Sequence, residues 1–378
     1  MSGPALQSGM RKSFTFAHPP QQMPIECGSC FGPITLAYET WGELNPQQDN
    51  AVLLLHAFSG DAHVASHEQG DSKAREPGWW EFMVGPGKGI DTRKYFVLCS
   101  NIIGGCMGST GPASLCPKSG QPYGMDFPVL TIKDMVRAQK MLLDHLGIRR
   151  LRAVVGGSMG GMQALQWCAS FPETVAAAVL LATTARHSAL AIAFNEIARR
   201  AIMADPKWQQ GRYYGSEGPE LGLAVARMIG HVTYLSDEAM RRKFGRRLQN
   251  SCDLSFNFDT EFQVESYLRH QGEKFVRRFD ANSLLYITKA ADYFDFSAAD
   301  SETLTRMAEA GIRFLVTSFS SDWLYPTYQS KELVRMLKKN SIDVSFCEIQ
   351  ADSGHDGFLL PSTRLTNLLA GFLQGVRP

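Results

Sequence analysis

No uninterrupted apolar run in this 378-residue chain reaches the ~18 residues of a membrane-spanning helix, so a membrane-embedded function is not expected. Neither sign of charge is in excess. Lys and Arg number 38 against 37 Asp and Glu, a formal net charge of +1, which gives no global field to gather nucleic acid or an anionic membrane. The opening stretch MSGPALQSGMRKSFTFAHPPQQ has no apolar core of signal-peptide length, so secretion is not expected. The eight cysteines show no framework spacing, and Cys99, Cys168 and Cys347 sit in apolar stretches. That pattern fits reduced, buried thiols of a cytoplasmic protein. A lone C-x-x-C, Cys27 to Cys30, has no second pair to complete a zinc site and precedes a strand rather than a helix; it reads as a turn. Internal repeats and low-complexity segments are lacking too. A small polar or neutral partner fits this balance best.

What is present is an ordinary globular composition, 44% hydrophobic and 20% charged, in a chain long enough for one large domain with an insertion or for two domains. Six short apolar runs read as strands buried on both faces: AVLLLHAF (51–58), YFVLCSNI (95–102), LRAVVGGS (151–158), VAAAVLLAT (175–183), IRFLVTSF (312–319) and DVSFCEIQ (343–350). Continuous rather than alternating apolarity marks a parallel sheet covered by helices. Helical patterns such as TIKDMVRAQKMLLDHLG, ending at Gly147, and MGGMQALQWCASFP, ended by Pro172, lie between them. The stretch 33–44 reads as antiparallel edge strands. Between Arg186 and Phe296 the alternation stops and only amphipathic helical stretches follow. The expected architecture is therefore α/β: a mostly parallel sheet formed by residues 1–185 and 297–378, with a helical lid, 186–296, inserted over the edge where ligands bind.

The segment GGSMG (156–160) fits G-x-S-x-G, a sharp strand-to-helix turn that exposes a serine. Gly156 and Gly160 hold the positions where a side chain would clash. Ser158 then stands at a helix N-terminus, whose partial positive charge favours an oxyanion. The backbone N–H of Met159 is one expected oxyanion donor. The N–H of Phe58, in the loop HAFSG after an earlier strand, is the other. Asp322 follows the 312–319 strand and His355 the 343–350 strand, so both are expected at the same sheet edge as Ser158. His355 would take the serine proton, and Asp322 would orient and stabilise the imidazolium. His56, His63 and His67 cluster in one loop, but no carboxylate or cysteine partner is arranged around them in sequence, so packing and hydrogen bonding are expected rather than a metal. The basic run RRKFGRR (241–247) reads as a solvated helix face.

Long stretches in order, HAFSGDAHVAS (56–66), GWWEFMVGPGKGIDTRKYFVLCSNIIGGCMGSTGPAS (78–114), GGSMGGMQALQW (156–167), ARHSALAIAFNEIARRAI (185–202), GLAVARMIGHVTYLS (222–236), DYFDF (292–296), SDWLYP (321–326) and SGHDGFL (353–359), resemble the homoserine O-acyltransferases of the α/β-hydrolase fold. The likeness is chiefly to the homoserine O-acetyltransferases of methionine biosynthesis, and it covers nearly the whole chain. It implies a two-step reaction. Ser158 takes an acyl group from acetyl-CoA, or from succinyl-CoA in relatives, and then passes it to L-homoserine. It implies no permanently bound cofactor and a homodimer formed through the lid. It assigns Arg227 to the homoserine carboxylate and Asp356 to the ammonium. Tyr234, two helical turns beyond Arg227, is expected on the same face. Phe58 and Ser59 replace the leucine and threonine more usual there. The rival readings are a homoserine O-succinyltransferase, a serine O-acyltransferase, an esterase of the same fold, and a non-catalytic binding module.

Overall fold

The computed structural model describes residues 11–70, 72–249 and 253–376; the first ten residues of the opening stretch weighed above for export lie outside these. Eight strands form the central sheet: β1 (Lys12–Phe16), β2 (Ile34–Trp41), β3 (Ala51–Leu55), β4 (Phe96–Ser100), β5 (Ala153–Gly157), β6 (Ala177–Leu181), β7 (Arg313–Phe319) and β8 (Val344–Ile349). Their spatial order is β1-β2-β4-β3-β5-β6-β7-β8. Strand β2 runs antiparallel to both neighbours, while β3 to β8 pair in parallel.

All six apolar runs are strands, and their continuity has the expected cause. In β3, Ala51, Leu53 and Leu55 pack into the core on one face of the sheet and Val52 and Leu54 into the core on the other. The 33–44 stretch differs from expectation. It is one eight-residue strand lying second from the edge, and the edge itself is β1. KSFTF shows its polar alternation only once paired, with Lys12 opposite Tyr38 and Phe16 opposite Ile34. The Cys27–Cys30 segment is the turn of a small hairpin between Met23–Pro24 and Cys30–Phe31, with both thiols exposed.

Helix α1 (Ile132–His145) opens on a capping box in which Thr131 and Asp134 satisfy each other's backbone N–H groups, and it closes before Gly147 at φ +72°. Helix α2 (Met159–Ser170) starts directly after β5. Between β6 and β7 come α3 (Ala189–Ala204), α4 (Glu220–Tyr234), α5 (Asp237–Lys243), α6 (Gln263–Val276) and α7 (Ala281–Asp292). Among the described residues this block contains no strand, only bridges such as Arg186 to Asp295, which joins its two ends. Helix α6 buries only Gly272 and Phe275, too thin an apolar stripe to stand out in sequence. Helix α4 packs on both α3 and α6. The block is fastened to the sheet edge where Gly354 approaches Tyr234 and Ser236, and where the Trp323 indole N–H donates to the Leu235 carbonyl at 2.9 Å.

Candidate active site

Ser158 sits between β5 and α2 with φ 56° and ψ −125°, a conformation that a non-glycine residue holds only where its surroundings dictate it. The flanking glycines supply those surroundings. A Cβ on Gly160 would lie 1.9 Å from the Leu55 carbonyl oxygen, and one on Gly156 would lie 2.1 Å from that of Gly160. A Cβ on Gly157 would lie 2.4 Å from the Phe358 ring, and one on Gly161 2.6 Å from Thr183. The loop after β3 and the start of α2 can therefore touch, which brings Phe58 toward the serine. Ser158 N–H donates to Leu181 O at 2.9 Å, and its carbonyl accepts from Thr183 Oγ1 at 2.7 Å, locking the turn onto β6.

Ser158, His355 and Asp322 are all buried and form one hydrogen-bonded chain. His355 Nε2 lies 2.9 Å from Ser158 Oγ, and its Nδ1 lies 2.8 Å from Asp322 Oδ2. The other oxygen of Asp322 accepts from the backbone N–H groups of Leu324 and Tyr325 at 3.0 and 2.9 Å. Burial alone lowers the pKa of His355, but the charge of Asp322 and its hydrogen bond outweigh that and raise it. Neither the Phe58 nor the Met159 N–H has a backbone acceptor among the described residues. Met159, as the first residue of α2, has none to find within the helix.

A cavity of about 80 Å³ opens on Ser158 between the sheet edge and the helical block, with Phe58, Arg227 and Tyr234 in its wall. Arg227 and Tyr234 share a face of α4, the guanidinium 5.7 Å from the ring centre. Arg227 also lies over the Phe275 ring and donates to Ser59 Oγ at 3.2 Å. It has no carboxylate partner among the described residues. Asp356 does not line the cavity. Burial raises its pKa against the charges of His355 and Arg227, which places it in the same electrostatic neighbourhood.

A second network, built on the largely enclosed side chains of His187, Asp292 and Arg199, was not foreseen. His187 Nε2 lies 2.7 Å from the Tyr325 hydroxyl, and its Nδ1 lies 3.1 Å from Asp292 Oδ1. Asp292 also accepts from Asn195 at 2.7 Å and pairs with Arg199 at 2.7 Å. His187, Asn195 and Tyr325 line the cavity beside Ser158. The four-residue spacing of Asn195 and Arg199 on one helix face was the available signal. The loop histidines need a correction as well. The carboxylate partner of two of them comes from β2, because Glu39 Oε2 accepts from His63 Nδ1 at 2.8 Å and from His67 Nε2 at 2.9 Å. The ligand-type atoms of these three residues lie within 4.8 Å of one another, a hydrogen-bonded clasp of two imidazoles on one carboxylate. His56 stands apart, with Nδ1 2.8 Å from the Ala57 carbonyl. The basic residues of the 241–247 run are exposed while Phe244 is buried, and Arg241 and Arg242 form ion pairs with Glu238 and Asp352.

Sheet order, turn and helix define an α/β-hydrolase-fold protein, and residues 50–361 match the family described as alpha/beta hydrolase fold. Homoserine O-acetyltransferases from Solidesulfovibrio magneticus and Desulfotalea psychrophila are 60% identical over 377 residues and 59% identical over 368. These matches cover 99% and 97% of this chain, and 94% of each relative. The crystal structure of homoserine O-acetyltransferase from Bacillus anthracis superposes with a TM-score of 0.89 at 28% identity, covering 98% of this chain and all of that one. Esterase E22 gives 0.87 at 27% identity, covering 96% and 99%. The chain belongs to the homoserine O-acetyltransferase family and is an acyltransferase.

Proposed function

We propose that the protein transfers the acetyl group of acetyl-CoA to the hydroxyl of L-homoserine through an acyl-enzyme on Ser158, a step of methionine biosynthesis. In the first half, Ser158 Oγ attacks the thioester carbonyl while His355 Nε2 takes its proton and Asp322 holds the imidazolium. The Phe58 and Met159 N–H groups receive the negative oxygen. Collapse breaks the carbon–sulfur bond, and His355 returns the proton to the departing thiol. In the second half, the homoserine hydroxyl gives its proton to His355 and takes the acetyl group, restoring Ser158. Arg227 holds the amino-acid carboxylate beside Tyr234, and Asp356 the ammonium. Residues 186–296 act as a lid on the core of 1–185 and 297–378 and keep water from the acyl-enzyme. Exposed Leu190, Ile197, Leu221 and Val225 on α3 and α4 support a homodimer through that lid. No helix among the described residues is long and apolar enough to cross a membrane, in keeping with a cytoplasmic enzyme.

The observation that carries this reading is the hydrogen-bonded Ser158–His355–Asp322 chain, whose Ser158 shares one cavity with an Arg227 that has no carboxylate partner among the described residues. An esterase has no need of such a cation. The succinyl alternative is disfavoured by the same wall. Arg227 is the only Lys or Arg lining the cavity among the described residues, and the Asn195 amide is already spent on Asp292. A second carboxylate would be buried without a partner.

The test is homoserine-dependent thiol release with acetyl-CoA and succinyl-CoA at equal concentration, with the O-acyl product identified by mass. Faster turnover with acetyl-CoA is expected; thiol release indifferent to homoserine would overturn the assignment. Arg227→Ala is expected to lower kcat/KM for homoserine roughly 10–100-fold while acylation of Ser158 changes far less. Equal damage to both half-reactions would make Arg227 structural.

A further inference from the structure

A second cavity, about 470 Å³ in volume, continues outward from the Ser158 cavity, the two sharing Ser59, Arg227 and Phe275 in their walls. Its far side is formed by α6 and the residues just after it, which contribute Gln271, Lys274 and Arg278, and its near side by the loop after β3 and by Trp79. The volume is that of an ordinary small-molecule site, and its chemistry is distinctive.

Lys274 has no carboxylate partner among the described residues. Arg278 spends one N–H on the Ser59 carbonyl at 3.0 Å, which leaves its remaining donors to face the cavity. Burial first, and then the charge of Arg227, lower the pKa of Arg278 against the opposing charge of Asp61. Two carboxylates also line the cavity, those of Asp61 and Glu76. Asp61 is turned inward to accept from the His63 N–H at 2.9 Å, and His63 itself carries charge, its pKa raised to about 9 chiefly by its hydrogen bond to Glu39. The charge of His63 is matched by Glu39, so Arg227, Lys274 and Arg278 stand against Asp61 and Glu76 and the cavity keeps a positive balance. The half-buried Trp79 indole, fixed by its N–H to the Asp61 carbonyl at 2.9 Å, supplies an aromatic surface in the same wall.

Cations plus an aromatic plane suit a phosphorylated purine nucleotide: guanidinium and ammonium for phosphates, indole for the base. Taking the proposed function as given, we infer that this cavity holds the 3′-phosphorylated adenosine diphosphate end of the acyl-CoA donor. Lys274 and Arg278 meet its phosphates and Trp79 its adenine. The pantetheine arm then runs over Phe275 and past Arg227 to deliver the thioester to Ser158.

The experiment reads acylation of Ser158 by intact-protein mass and therefore needs no acceptor. Two donors are compared, acetyl-CoA and S-acetyl-N-acetylcysteamine, which carries the same thioester without the nucleotide. The wild-type chain should prefer acetyl-CoA, and Lys274→Glu should reduce that preference about tenfold. In the same assay 3′-phosphoadenosine 5′-phosphate should compete with acetyl-CoA, and compete less well in the variant. Because the preference is a ratio within one protein sample, loss of folded material does not mimic the effect. An unchanged ratio, or a nucleotide that does not compete, would overturn the inference. Whether O-acetylhomoserine then forms tests the function separately, since the ratio does not depend on it.

Discussion

Two histidine–aspartate pairs flank the same cavity, His187 in its wall and His355 behind Ser158, and they are built differently. His355 leans on Asp322, whose other oxygen is held only by neutral backbone N–H groups, so the carboxylate's charge is directed at the imidazole. His187 leans on Asp292, whose charge is matched by Arg199 at 2.7 Å. The first pair reaches a serine hydroxyl in a strained turn, the second a tyrosine hydroxyl. In the proposed mechanism the same two residue types therefore make a proton acceptor in one setting and a rigid strut in the other. What decides between them is the company of the carboxylate.

Removing each carboxylate should separate the roles. Asp322→Asn is expected to lower kcat about 10⁴-fold with little change in stability. It should also shift the acidic limb of the pH profile. The proposed mechanism requires neutral His355, whose pKa Asp322 raises from its ordinary value of 6.5 against burial, so the limb of the native enzyme moves to lower pH in the variant. Asp292→Asn should do the reverse. It leaves buried Arg199 without its closest anion, costing about 3 kcal/mol in denaturant unfolding, while kcat falls far less. Equal kinetic losses in the two variants would break the distinction.

Tyr325→Phe sharpens it. The hydroxyl lies between the two pairs, bonded to His187, and its ring meets His355 edge-on at 5.0 Å. Its loss should slow turnover about tenfold and leave one buried imidazole nitrogen unsatisfied, at a cost of ~1–2 kcal/mol. A loss as large as that from Asp322→Asn would make His187 the working base.

The first pair was legible in sequence and the second was not, for a physical reason. In a parallel sheet every strand ends at the same edge, so residues placed just after β5, β7 and β8 must meet whatever lies between them in sequence. Ser158, Asp322 and His355 could be read from strand positions alone, and the glycines around Ser158 from the turn they permit. His187 and Asp292 instead lie at opposite ends of the helical block, and they meet only because α3 packs on α7. Helix packing of that kind leaves no spacing rule. Glu39 was hidden similarly, since its approach to His63 and His67 depends on the pairing of β2 with β4 and on the path of the loop after β3. The edge strand β1 was missed because five residues with no apolar run become a strand only through their partner.

The Glu39 clasp gives the smallest expected effect. His63 donates through Nδ1 to Glu39 and through Nε2 to the Glu76 carbonyl at 2.8 Å, so it is held as an imidazolium, with Arg11 also 3.2 Å from Glu39. Its pKa is raised to about 9, first by the hydrogen bond to Glu39 and against burial. That of Glu39 is lowered to about 2, because the hydrogen bonds from His63 and His67 outweigh its burial. A raised histidine stabilises fully below its unfolded value of about 6.5 and loses that stabilisation as pH rises through 9. A depressed carboxylate stabilises above about 4.5 and loses it as pH falls through 2. The clasp should therefore be strongest between about pH 4.5 and 6.5. His63→Gln should lower Tm by roughly 2–4 °C at pH 6, and the gap should close by pH 9.5. A gap that stayed constant across this range would mean that His63 acts through packing rather than charge. The segment it pins begins at Phe58, so a real clasp also gives alkaline pH a route, not shared by the His355–Asp322 pair, to the loop proposed to hold the oxyanion.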